Sequence, residues 1–314
     1  MDRHHRARRR LKLRQLEILL AVADAGSMAK AASRLAISQP AISRAVADAE
    51  HTLGVPLFER SKQGANPTQY GRALLKRGVA AFDEIDQGVK DIEFLADPTS
   101  GELRIGSPAG AAEGIVLAVI NRLSRQYPRI VFHVSIATGS ALLEQLRARE
   151  IELGFDPLTG RMSEEDIEVE PLDDQPLVVV SGVDNPWLRR RKIGLSDLVN
   201  EPWTWPPPGS RYDWLIVEAF RKSGIEPPRP TVYTHAVNLR VSLAATGTFL
   251  AVVAASTVSM RSKYPSIRRL PVDLPAAHLG LGIVTLKRRT LSPLAQIFID
   301  CAREIANPRA KRSP

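Results

Sequence analysis

The chain has 314 residues, 44% of them hydrophobic, and a formal net charge of +9, enough length for two or three packed units. No apolar run reaches the roughly 18 residues that a bilayer-spanning helix needs, and the start RHHRARRR lacks the apolar segment of a signal peptide, so a cytoplasmic protein is expected. The single Cys301 excludes an intramolecular disulfide framework and any multi-cysteine metal site; the spacing Leu294, Ile297, Phe298, Cys301 reads as a buried structural thiol on a helix.

The basic excess is local. Residues 1–75 hold 13 Lys and Arg against 6 Asp and Glu, whereas the rest of the chain holds 30 against 28. That distribution fits a polyanion-binding module on a nearly neutral body, because neutralising phosphates supplies most sequence-independent DNA affinity. On charge alone an acidic protein partner fits as well. Arg3, Arg6, Arg8, Arg9 and Arg10 form either an arm for phosphates or a solvated tail.

From Leu13, the residues Leu16, Leu19, Leu20 and Ala23 predict an amphipathic helix ending near Gly26. Ser27 to Arg60 then reads as two short helices with a tight turn and a trailing wing. Ser27 is placed to cap the first and Ser38 the second, and Pro40 falls in the first turn, where its missing N–H costs little. Ile42, Val46, Ala49 and Leu53 form a buried stripe and leave Gln39, Ser43, Arg44 and Ala47 facing out. Small polar side chains with one arginine on an exposed helix suit a DNA groove. Pro56 to Pro67, with Gly64 and Asn66, is the turn-rich wing; Lys62 and Arg60 are its expected phosphate contacts, though Arg60 could equally pair inside the domain. Thr68 is placed to cap a helix from about Gln69 to Ala96. Along it Leu75, Gly78, Phe82, Ile85, Val89, Ile92 and Ala96 alternate spacings of three and four, a seam expected to meet the same helix of a second copy; the alternative is packing on the chain's own body.

Ser38-Gln39-Pro40-Ala41-Ile42-Ser43-Arg44, followed by Glu50, Leu53-Gly54, Leu57-Phe58 and Arg60, resembles the winged helix-turn-helix of the LysR-type transcriptional regulators. The order of later elements also fits that family over nearly all of the chain. The resemblance implies DNA contacts from Ser38, Gln39, Pro40, Ala41, Ser43, Arg44, Arg60 and Lys62, and a dimer helix carrying Leu75, Phe82, Ile85, Val89 and Ile92.

Asp97 to Gly101 breaks the long helix. Strand and helix patterns then alternate: strand 102–107, helix 114–127, strand 130–137, helix 140–149, and Val178-Val179-Val180 closing a first unit. A second unit follows, with helix 195–199, strand 203–205, helix 211–223, strand 231–234, helix 237–245 and strand 249–254. Strand 279–286 returns to the first unit and helix 293–306 ends the pattern. Periodicity gives two α/β units. The resemblance implies the fuller fold: an N-terminal all-α winged helix-turn-helix and linker helix, then an α/β effector domain of two Rossmann-like subdomains, built like a periplasmic solute-binding protein. The expected domains are residues 11–69, 70–97 and 101–306, with subdomain I at about 101–181 and 279–306 and subdomain II at about 182–278.

Ligands of open α/β units settle where loops leave the carboxyl ends of strands and helix N-termini point inward. The candidate effector residues are Ser107 and Pro108, Thr138-Gly139-Ser140, Gly209-Ser210-Arg211, and Gly247-Thr248. Their hydroxyls and N–H groups suit a carboxylate or polyhydroxy compound, and Arg211 could neutralise an acid. Taken singly, each reads as an ordinary cap or turn. Phe249, where the family often has a glycine, and Pro206-Pro207-Pro208 depart from its pattern and leave the effector's identity open.

The six histidines show no metal-ligand spacing, and neither GxSxG nor a P-loop lysine occurs, so no cofactor, no metal and no enzyme activity is expected. The chain is expected to be a LysR-type regulator binding a partly palindromic promoter site in double-stranded DNA. It is expected to form a homodimer or homotetramer and to respond to a small-molecule effector, an organic acid or sugar derivative as in the sugar-uptake or aromatic-acid catabolism subgroup. The alternative is a constitutive DNA-binding repressor or architectural protein without effector.

Overall fold

The computed structural model describes residues 11–61, 64–158, 164–259, 264–275 and 277–307, except the side chains of Arg60, Ser61 and Ser259. These form two compact units, one reaching Val89 and one starting at Lys90.

In the first unit, α1 (Leu13–Ala25), α2 (Met28–Leu35) and α3 (Gln39–Leu53) pack with a two-stranded wing, β1 (Phe58–Ser61) and β2 (Gly64–Pro67), before α4 (Gln69–Ala96). Its core takes Leu16, Leu19 and Val22 from α1, Ala31 from α2, and Ile42, Val46 and Ala49 from α3. Ser27 caps α2, its Oγ accepting from Lys30 N at 3.2 Å, and Thr68 Oγ1 accepts from Gly71 N at 3.1 Å to start α4. Gly71 is required by close approach, since a Cβ there would lie 2.1 Å from the carbonyl oxygen of Leu57.

The second unit is a continuous sheet with helices on both faces. Its first lobe contains β3 (Ser100–Ser107), a π-helical turn (Ala112–Val116), α5 (Leu117–Gln126), β4 (Arg129–Ile136), α6 (Gly139–Arg147) and β5 (Leu153–Pro157). β6 (Ile167–Gly182) then runs out into the second lobe: β7 (Trp203–Trp205), α7 (Arg211–Lys222), β8 (Val232–Tyr233), α8 (Val237–Ala245), β9 (Leu250–Ala254), α9 (Ala255–Ser259) and β10 (Ile267–Arg269). β11 (His278–Leu286) returns to the first lobe and α10 (Pro293–Ala306) packs there. The strand order is β4-β3-β5-β11-β6-β9-β7-β8, with β10 on β6; β3 is parallel to β4 and β5, and β7 is parallel to β8 and β9. Helices α7 and α8 pack in different cores on the second lobe, α7 with Trp203, Trp205 and Val252 and α8 with Val178, Ala251 and Val253.

Three expectations change. β5 was absent from the sequence reading, because Ile151 to Pro157 is short and interrupted by Glu152 and Asp156. The helix expected at 114–127 begins with the π-helical turn and becomes regular only at Leu117. Val178-Val179-Val180, expected to close the first lobe, instead pairs with β9 and packs in the second lobe's cores, so the boundary near residue 181 moves back to about Pro176. A 16-residue strand can serve both lobes because pairing simply passes from β11 to β9 along its length.

Candidate DNA interface and effector cleft

The outward face of α3 carries Gln39, Pro40, Ala41, Arg44 and Ala47, all exposed. Among the described residues Arg44 makes no hydrogen bond or ion pair, so its guanidinium is free for a ligand. Ser38 stands at the cap position but its hydroxyl caps nothing. The reason is local: Pro40 removes one donor a cap would serve, and Ala41 N bonds to the Ser38 carbonyl at 3.0 Å. Ser43 is not on the outward face either. It is half-buried and donates its Oγ to Met28 Sδ at 3.3 Å, so it braces α3 against α2. Glu50, at the other end of α3, accepts from Leu57 N at 2.7 Å and Phe58 N at 3.1 Å and so fixes the wing to the helix. In the wing Arg60 pairs through its backbone with Ala65, while its side chain and Lys62 lie outside the described residues.

The apolar seam of α4 divides in two. Leu75 and Phe82 pack on the first unit's own core, and Gly78 faces Leu16, so Leu75 belongs to an intramolecular contact rather than to a seam between copies. Ile85, Val89, Ile92 and Leu95 are 45%, 48%, 68% and 81% exposed. A lone helix in water gains nothing from such a stripe.

In the second unit, Ser107, Pro108 and Thr138-Gly139-Ser140 lie together at the carboxyl edge of β3 and β4. Ser107 is fully buried and its hydroxyl donates to Pro108 O at 3.1 Å. Beside them stands Asp156 on β5, 3% exposed. One of its oxygens accepts from Gly139 N at 3.2 Å at the start of α6, and the other is buried without a partner. Burial pushes this carboxyl up to about 6, against the smaller downward pull of the Gly139 N–H.

Across from them, Gly209-Ser210-Arg211 leaves the carboxyl end of β7. Ser210 caps α7 by accepting from Asp213 N at 3.2 Å, and Asp213 closes the loop by accepting from Gly209 N at 2.8 Å and Trp205 Nε1 at 2.9 Å. Arg211 lies over the exposed Trp214 ring, 4.5 Å from its centroid. The two lobes meet through Glu113 of the π-helical turn, whose carboxylate accepts from Asn238 Nδ2 on α8 at 2.5 Å and from Tyr264 Oη at 2.9 Å; Tyr264 also donates to Asn238 Oδ1 at 2.7 Å. This bridge brings the carboxyl edges of the two half-sheets face to face.

Two family models match the chain: a bacterial regulatory helix-turn-helix protein of the lysR family over residues 13–72, and a LysR substrate binding domain over residues 96–307. The chain belongs to the LysR family. It is a DNA-binding transcriptional regulator with an effector-binding domain. Its relatives are regulators rather than enzymes. They include GbpR of Azospirillum brasilense, 27% identical over 97% of this chain and 89% of that protein, and the transcriptional dual regulator GltC of Bacillus subtilis, 27% identical over 92% and 96%. Among solved structures, full-length CbnR aligns with a TM-score of 0.57 at 25% identity over 93% of this chain and 100% of its own. A full-length OxyR variant from Pseudomonas aeruginosa aligns at 0.68 over 96% and 99%, with 22% identity. No helix among the described residues is long and apolar enough to cross a membrane.

Within this LysR-family regulator Gly247 and Thr248 fall outside the cleft. They precede β9, which places them at the amino end of a strand whose carboxyl end faces the cleft, and Gly247 O accepts instead from Asn185 Nδ2 at 2.8 Å. Asp156, Glu113, Asn238, Tyr264 and Arg240 are cleft residues that the sequence reading missed. Arg240 alone left a signal, as a charge set among Val237, Val241 and Ala244 on the apolar face of α8.

Proposed function

We propose that this regulator reads a partly palindromic promoter site with α3 in the major groove. Arg44 and Gln39 contact base edges, while Pro40 and Ala41 lie against thymine methyls. Its place of action is the cytoplasm. The observation that carries the reading is the exposed face of α3, with Arg44 unpaired while the helix's other polar groups, Ser43 and Glu50, are tied inward. Two copies pair through Ile85, Val89 and Ile92 on α4, which supplies the second half-site reader; residues 11–69, 70–97 and 101–306 act as reader, pairing helix and effector domain. A small organic acid or sugar derivative binds between the two lobes, at Ser107, Pro108, Thr138, Gly139, Ser140, Gly209 and Ser210, and lobe closure alters the DNA complex.

The test is Arg44→Ala in equilibrium DNA binding at fixed salt. Affinity for the promoter site should fall by about 10-fold to 100-fold, the cost of one bidentate base contact, while random-sequence affinity falls much less. An unchanged ratio of the two affinities would remove Arg44 from base readout.

A further inference from the structure

Arg240 is the most deeply buried charged side chain of the second lobe, 2% exposed, and its surroundings do not balance it. Its Nη1 donates to the carbonyl of Val252 at 2.9 Å, its guanidinium carbon lies 5.4 Å from the centre of the Tyr212 ring, and its Nε is buried with no acceptor. Among the described residues no carboxylate pairs with it. Asp213, the acid nearest in the chain to Tyr212, is already engaged by Trp205 Nε1 and Gly209 N. Burial lowers the arginine's pKa, but a guanidinium stays protonated in proteins, so the fold carries a positive charge in a dry site with one neutral acceptor. A buried charge left without a partner is costly.

Its location points to a ligand rather than to packing. Arg240 lies in the first turns of α8, whose capping residue Ala236 provides no side-chain cap, and it reaches toward Tyr212 in the first turn of α7. Both helices start at the carboxyl edge of the parallel strands, where aligned peptide dipoles favour negative charge. Asn238, two residues before Arg240, is the residue that bonds to Glu113 across the lobe boundary, so this turn of α8 borders the cleft.

We propose that Arg240 is the anion anchor of the effector cleft, and that the effector presents a carboxylate or comparable oxyanion to it. The inference rests on the reading that a small molecule binds between the lobes. The ligand's negative group supplies the missing counter-charge and is held bidentately by the guanidinium, while Ser107 and Thr138 on the facing lobe take its polar remainder. The Glu113–Asn238–Tyr264 bridge shuts the site from water once it is filled. The apo protein carries the arginine at a cost to stability that binding recovers.

The experiment uses the full-length chain, wild type, Arg240→Met and Arg240→Lys, in thermal melting and titration calorimetry. One arm replaces chloride with sulfate at constant ionic strength. The other compares gluconate, citrate and benzoate with uncharged sorbitol and benzamide. Without ligand, R240M should melt at or above the wild type, because a similar-length apolar side chain removes an unbalanced charge. Sulfate should raise the wild-type melting temperature more than that of R240M, and a carboxylate that binds the wild type should lose about 100-fold in affinity in R240M, with R240K intermediate. Equal sulfate shifts in wild type and R240M overturn the proposal, as does a carboxylate that binds both equally. Saturable wild-type binding of an uncharged compound alone also overturns it, while leaving the effector reading intact. Promoter DNA binding retained by R240M shows that the chain is folded, and R240K carries the comparison if R240M is not.

Discussion

Glu50 and Asp156 are both carboxylates held by backbone N–H groups, one in the DNA-binding unit and one in the effector domain. Glu50 receives two donors, and its second bond joins the recognition helix to the wing. Asp156 receives one donor, from the first residue of α6, and keeps a buried oxygen with no partner. The same asymmetry separates Ser43, tied inward to Met28, from Arg44, which has no partner among the described residues. Where the chain satisfies its polar groups they serve the fold. Where it leaves them over, on the face of α3 and between the lobes, they are available to DNA and to a ligand.

The largest effect that could break this comparison is at Glu50. Glu50→Ala leaves the buried N–H groups of Leu57 and Phe58 without an acceptor, which should cost about 4 kcal/mol, two charge-assisted bonds at about 2 each. Urea unfolding of the DNA-binding unit, with loss of promoter affinity, reads it out; a loss below about 1 kcal/mol would mean the wing holds by other contacts.

Asp156 comes next, and its effect depends on pH. Its folded value of about 6 lies above the ordinary 3.8, so between those values the folded state binds more protons than the unfolded state. Stability therefore falls as pH rises from about 4 to about 6, by about 3 kcal/mol in all, and stays at the lower level above. Asp156→Asn should remove that slope and converge with the wild type at the acid end. Parallel unfolding curves for the two proteins between pH 4 and 7 would show the carboxylate to be solvated and paired after all.

The smallest effect is at the bridge between the lobes. Tyr264→Phe removes the hydroxyl that bonds to Glu113 and Asn238, which should cost about 1 to 2 kcal/mol of effector-domain stability. It should also raise the hydrogen-exchange rate of α8 amides, since α8 meets the first lobe there through Asn238. Unchanged exchange would mean that the bridge does not hold the lobes together.

The DNA-binding unit was legible because its signals are local. Ser27 and Thr68 cap the helices they were expected to cap, and the stripe Ile42, Val46, Ala49 is buried as its period requires. What failed there was a tertiary contact: nothing in Ser43's spacing shows that Met28 lies beside it. In the effector domain the helices at 237–245 and 293–306 matched to the residue, while β5 and the extent of β6 did not. Those strands are defined by partners more than a hundred residues away, such as Phe155 with Ile283, which no local period encodes. The cleft was half legible for the same reason. Ser107, Thr138 and Ser210 follow strands, so chain order alone puts them at the carboxyl edge; Gly247 and Thr248 precede one, so they fall away from it. Asp156 and Arg240 owe their meaning to burial, which only the assembled sheet reveals.

Hydrogen exchange of the full-length chain with and without a bound carboxylate tests the central claim most directly, because it reports where along the chain a ligand is felt. Protection is expected in the peptides that hold Ser107 to Glu113, Ala137 to Ala141, Trp205 to Trp214 and Val237 to Ser242. Protection centred on Gly247 and Thr248, or no protection in any of those four segments when binding is saturated, would contradict it.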